Sequence, residues 1–216
     1  MEILDQYIGF VFRNPEPFLE QTLQTALTQQ GFSLPPRLGP GLVISIGRPP
    51  IAVRADSRVS YDPDVATLTA SAVSTPVMIE TFRTLQLVLE TELLPRWREL
   101  SRGIEFSIVA RVTTDRIPLR TISGYARGLD LTRLSGLFGA SAGLFTLRLF
   151  PMSVADTNEN LKMVPDWFEM TIEPQVTNPI AYFVRLIYRK IDLERTVSFA
   201  EAAQTTIMQS IGILEG

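Results

Sequence analysis

Residues 66–95 read ATLTASAVSTPVMIETFRTLQLVLETELLP, and the fold turns on how this stretch is read. Its first part belongs to a β-prone run, residues 65–74, bounded upstream by Asp62-Pro63-Asp64. At Thr75-Pro76 the signal changes. Thr75 suits a helix cap and Pro76 the first helical position. Met78, Phe82, Leu85, Leu89 and Leu93 then recur at helical spacing, and Val77, Ile79, Leu87, Val88 and Leu94 widen the apolar face. Such a helix is predicted to be buried on most sides or to lie in a subunit interface. Pro95 kinks or ends it.

The same passage from strand to long helix recurs at residues 181–195. Working outward gives a strand over 3–13, and then a helix over 15–29 with Asn14 as cap and Phe18, Leu19, Leu23, Ala26 and Leu27 as its stripe. Strands follow at 42–46, 51–60 and 65–74. The second half gives a strand at 103–113, an extended connection over 116–127, a short helix near 129–138 and a strand over 142–150. Paired strands at 167–176 and 180–191 lead into a final helix from 193 to about 211, where Gly212 marks the stop. The fold class is therefore α+β, with antiparallel sheet backed by helices.

Each half reads strand, helix, three strands, helix, with halves at 1–102 and 103–216 packed as one unit. This layout predicts an internal duplication and one continuous sheet. The plan is similar to the tandem helix-backed sheets of the TATA-binding-protein saddle. None of that family's motif residues is present, and a shared layout does not license a function.

Composition narrows the chemistry. The 216 residues contain no cysteine and no histidine. That excludes thiol nucleophiles, disulfides, His-dependent triads and zinc or iron held by His or Cys. No cofactor is implied. The net charge of −3 does not point to nucleic acid or an anionic membrane. No run of about 18 uncharged apolar residues is present to span a bilayer. Acids stand near the N-terminus where an export signal needs positive charge, so a cytoplasmic location is expected. Eighteen of the twenty basic residues are arginine, a bias that fits a GC-rich genome or a hot habitat.

The most distinctive feature is the arginine concentration between Arg96 and Arg148. Nine arginines face four acids there, a local net of +5. Arg111, Arg116, Arg120 and Arg127 are interleaved with hydroxyl residues and with Tyr125. Guanidinium is a planar, permanently charged fork suited to phosphate or carboxylate, and an aromatic ring can stack on a base. Unremarkable solvated arginines paired with acids elsewhere are the competing account.

Other signals are weaker. Gly136 to Gly143 lacks the Lys-Ser/Thr ending of a phosphate loop and reads as a helix stop and turn. Asp62 and Asp64 read as turn aspartates that bond nearby backbone. Asp156 and Glu159 sit in a polar loop without EF-hand spacing. Phe82, Leu89, Trp97 and Trp167 are candidate interface anchors, as large side chains on the long helix or at element ends.

Three functions follow in order. The first is a non-catalytic scaffold or adaptor that binds a protein partner or itself. The second is a nucleic-acid or phosphate-ligand module on the arginine surface. The third is a hydrolase built on carboxylates and a divalent metal.

Overall fold

The central strand β1, Glu2–Phe12, is dictated by a run of β-branched and aromatic residues. In the computed structural model residues 1–14, 18–35, 50–93, 96–128, 131, 135–136, 139–154 and 164–216 are described, with 127, 128 and 154 by backbone only. β1 pairs with two strands. On one side is β4, Thr67–Ala72, and on the other is β5, Ser101–Thr113, both antiparallel. β4 continues to β3, Ser57–Asp62, and to β2, Ala52–Arg54. β5 continues to β8, Ala181–Lys190, then to β7, Trp167–Pro174, and β6, Leu147–Leu149. The result is one eight-stranded antiparallel sheet in the order β2-β3-β4-β1-β5-β8-β7-β6.

Outward from the β1–β5 seam, the strands on the two sides follow the same order. Shared order is topology, and it does not by itself establish a duplication.

The alternation of side chains along each strand sends one set to a single face. Ile8, Phe10 and Phe12 of β1 share that face with Ile104, Phe106 and Ile108 of β5, and all are buried in one core cluster. Two long helices cover it. Helix α2, Thr75–Val88, lies over β4, β1 and β3, and α5, Leu193–Glu215, lies over β5 and β8. Met78, Phe82, Leu85, Val88 and Leu89 are fully buried. Ala203, Ile207 and Ile211 supply the same stripe on α5. The ring of Phe10 stacks on Phe82 at 4.8 Å and meets Trp97 edge-on at 4.8 Å. Arg83 of α2 donates to both oxygens of Glu194 of α5, at 2.8 and 2.5 Å, and ties the helices together.

Several predicted elements are corrected. The single strand expected over 51–60 is a hairpin. Ala55 takes a left-handed backbone, φ 45°, and Ala55-Asp56 closes a two-residue turn between β2 and β3. The helix expected from residue 15 begins at Glu20 (α1, Glu20–Gln29). Phe18 instead packs its ring against Phe12 and Tyr61. The extended connection over 116–127 is helical, with α4 at Pro118–Gly124 and a 3₁₀ turn at Tyr125–Gly128. The strand over 142–150 is confined to Leu147–Leu149. The long helix passes into a π-helical turn, Leu89–Leu93, before the short α3, Trp97–Leu100. The final helix continues past Gly212 to Glu215. The predicted strand at 42–46 lies outside the described residues, as does most of the predicted helix near 129–138. Among the described residues no helix is long and apolar enough to cross a membrane.

Gly9 is required by close packing in the sheet. A Cβ there would stand 2.9 Å from Thr69 Cα and would press on the Leu68 carbonyl. Gly212 is helical, with nothing within 4 Å of an added Cβ. Gly9→Ala is expected to cost about 1–3 kcal/mol in chemical denaturation. Gly212→Ala is expected to stabilise by about 0.5–1 kcal/mol. Equal midpoints for the two variants would contradict this packing.

Candidate functional site

Ile117-Pro118 starts α4 by ordinary rules. The residue before proline is held extended, and Pro118 takes the first helical position without wasting a donor. Pro118 and Ile122, four apart, bury the inner side of the turn. The outer side therefore carries Arg120, Thr121 and Gly124, with Arg116 just upstream. Tyr125 then donates its hydroxyl to the Leu214 carbonyl at 3.1 Å and clamps this segment to the last turn of α5.

Between the two lies an open groove of about 580 Å³. Its lining combines Arg116, Arg120, Thr121 and Tyr125 with Asp115, Leu214 and Glu215. Arg116 and Arg120 are exposed and form no ion pair among the described residues. Tyr182 lies behind the lining, and is not itself part of it. It lies on the helix-covered face of β8, opposite Val112 of β5, and is fully buried. Its hydroxyl lies beside Thr121 and Glu215, near the positive charge of Arg116. It makes no hydrogen bond of normal geometry, and neither does the buried Glu215 Oε1. Burial, and secondarily the Glu215 carboxylate, hold the Tyr182 hydroxyl above its ordinary pKa, so it stays neutral and able to donate.

The groove has a counterpart between α1 and the end of the long helix. That one measures about 490 Å³, is lined by Glu20 and Glu92, and has no base. Of these two grooves, only the one between α4 and α5 carries a base among the described residues.

Of the sequence-predicted anion residues, the structure brings together Arg116, Arg120 and Tyr125. Arg111 does not join them. It lies on the opposite face of the sheet and donates to Glu2 at 2.9 Å. The Arg127 side chain lies outside the described residues. Sequence reasoning missed Tyr182 and Glu215. Tyr182 sits in an apolar strand and Glu215 is ninety-nine positions beyond Arg116, so only the tertiary fold unites them.

Among the interface candidates, Phe82, Leu89 and Trp97 are core side chains, 0%, 0% and 3% exposed. They hold the sheet to the helix and offer no docking surface. Trp167 is also buried, on the other sheet face, in register with Arg189. The Asp62 carboxylate accepts from the Asp64 and Val65 amides, as expected of a turn. Asp156 and Glu159 lie outside the described residues. Among those described, no three acids are grouped to hold a metal ion.

A second polar cluster lies on the sheet face away from the helices. Tyr7 donates to Glu105 Oε1 at 2.8 Å, and Arg189 donates to Glu105 Oε2, its Nε at 3.0 Å. Arg189 also reaches the Val164 carbonyl at 3.3 Å. Glu105 thus bridges Tyr7 and Arg189, and the cluster is a staple across β1, β5 and β8.

Comparison with known protein families, characterised proteins and solved structures finds no match for this chain.

Burial, and then the Glu105 carboxylate, push the Tyr7 hydroxyl well above the ordinary tyrosine range. A raised folded-state pKa means that the neutral form is favoured in the fold. Its stabilisation is complete below about pH 10, the unfolded value, and is lost as pH rises further. Denaturant midpoints measured from pH 8 to 11.5 should fall more steeply for the native protein than for Tyr7→Phe. Parallel curves would show that Tyr7 does not titrate as described.

Proposed function

We propose that this chain is a non-catalytic binding module that takes an anionic group, carboxylate or phosphate, in the groove between α4 and the end of α5. One observation carries the reading: two exposed guanidiniums, Arg116 and Arg120, with no ion pair among the described residues, line one groove together with Thr121 and Tyr125. A guanidinium pair and a hydroxyl together form the donor set for a planar or tetrahedral oxyanion.

This is the arginine-surface reading, reduced to two arginines. A nucleic-acid backbone calls for a row of positive charge, and Arg111 faces the other way. No catalytic role is assigned to any residue of the groove.

Inorganic phosphate or acetate is expected to raise the Tm of the native protein by binding the folded state alone. Arg116→Ala and Arg120→Ala should each weaken binding about 10- to 100-fold, the range for losing a charged hydrogen bond. Added sodium chloride should weaken it as well. A Tm shift that is the same in the double variant would remove the groove from the account.

Assembly is supported by a different observation. Around β6, which pairs with β7 alone among the described strands, Phe145, Leu149, Phe150, Met152 and Phe168 are all exposed. An edge strand among exposed apolar side chains is a template for association. The self-association reading therefore moves from the long helix to this edge. Light scattering at increasing concentration should show a dimer that Leu149→Lys returns to monomer. A monomer at every concentration would end that reading.

A further inference from the structure

We infer that the ligand of the α4–α5 groove is a small zwitterion, carrying an ammonium or similar donor close to its anionic group. The inference rests on the anion-binding reading and names the class of ligand.

The lining is not simply basic. Arg116 and Arg120 share it with Asp115 and Glu215, two positive charges beside two negative ones. A plain anion satisfies the arginines but brings its charge toward the Glu215 carboxylate. An ammonium on the same ligand removes that repulsion. The Thr121 hydroxyl, also in the lining, can donate to the ligand's anionic oxygen or accept from its nitrogen.

The remaining wall is half apolar. Ile117 and Tyr125 are each 50% exposed, and Leu214 closes the end. The exposed Tyr125 ring offers a face to an ammonium and a surface to a short carbon chain. A volume of about 580 Å³ fits a small molecule. The counterpart groove, with Glu20 and Glu92 and no base, lacks the anion half of this arrangement.

The test uses the full chain and isothermal titration or ligand-observed NMR. The probes are acetate, inorganic phosphate, methylammonium, and amino carboxylates of increasing length: glycine, β-alanine and 4-aminobutyrate. At least one amino carboxylate is expected to bind about tenfold tighter than acetate or more, because it adds a charged hydrogen bond. Glu215→Gln should bring that ratio close to one, and Arg120→Ala should weaken the same probe. If every amino carboxylate binds no better than acetate, the zwitterion inference fails while anion binding stands. If Glu215→Gln tightens acetate and leaves the ratio intact, Glu215 is only a repelling neighbour and the inference fails. If neither acetate, phosphate nor any amino carboxylate binds, both readings fall together.

Discussion

The antiparallel ladder between β1 and β5 makes one sheet out of two four-stranded halves. It runs from Glu2 opposite Arg111 to Phe12 opposite Ser101, with irregularities near each end. Paired strands leave their polar backbone satisfied, so the two most apolar strands can lie side by side at the centre without penalty. Cross-strand pairs such as Ile8–Phe106 and Phe10–Ile104 then present one continuous apolar strip. That strip is why two long helices are needed above it. Gly9 keeps the neighbouring strand close on one side, and Glu105 with Arg189 and Tyr7 ties the seam to the other. Removing one partner of a largely buried ion pair typically costs more than the pair contributes, so this staple is a sensitive part of the seam.

The candidate site is a consequence of the same arrangement. β5 ends at Thr113, and the chain must return to the helix-covered face before it can build the outer strands. α4 makes that return and packs against β7 and α5. Side chains from two distant segments therefore converge at the end of α5. The lining is polar because backbone and side chains at such an end have fewer neighbours to satisfy them. The groove between α1 and the end of the long helix is lined by acids instead.

Much of the fold was legible because its elements are long and periodic. The strand-to-helix passage at 66–95, the paired strands near 167–191 and the stripe Ala203, Ile207, Ile211 are recovered in place. The failures are local and physical. Ala55-Asp56 turns a hairpin without glycine or asparagine, because Ala55 accepts a left-handed backbone that its sequence does not announce. Phe18 forgoes a helical turn for a ring contact with Tyr61 at 5.0 Å. Proline at 118 was a helix start that the surrounding arginines and threonines hid. The central stripe of α2 is spent on the core, while Leu87, one of the residues that widen its apolar face, stays exposed. Arginine chemistry was legible, and arginine placement was not: alternation along β5 sends Arg111 to the far face while Arg116 and Arg120 stay together. Tyr182 and Glu215 carried no local signal at all.

The central claim is that the groove between α4 and the end of α5 is where this protein meets an anion. Backbone amide shifts recorded during a phosphate titration test it most directly, because they report the position of binding independently of its strength. The account predicts saturable shifts concentrated at residues 115–125, around Tyr182 and over 212–216, with the counterpart groove at residues 19–29 unmoved. Shifts spread over the arginines of the surface, or centred on any other part of the sheet, would contradict it.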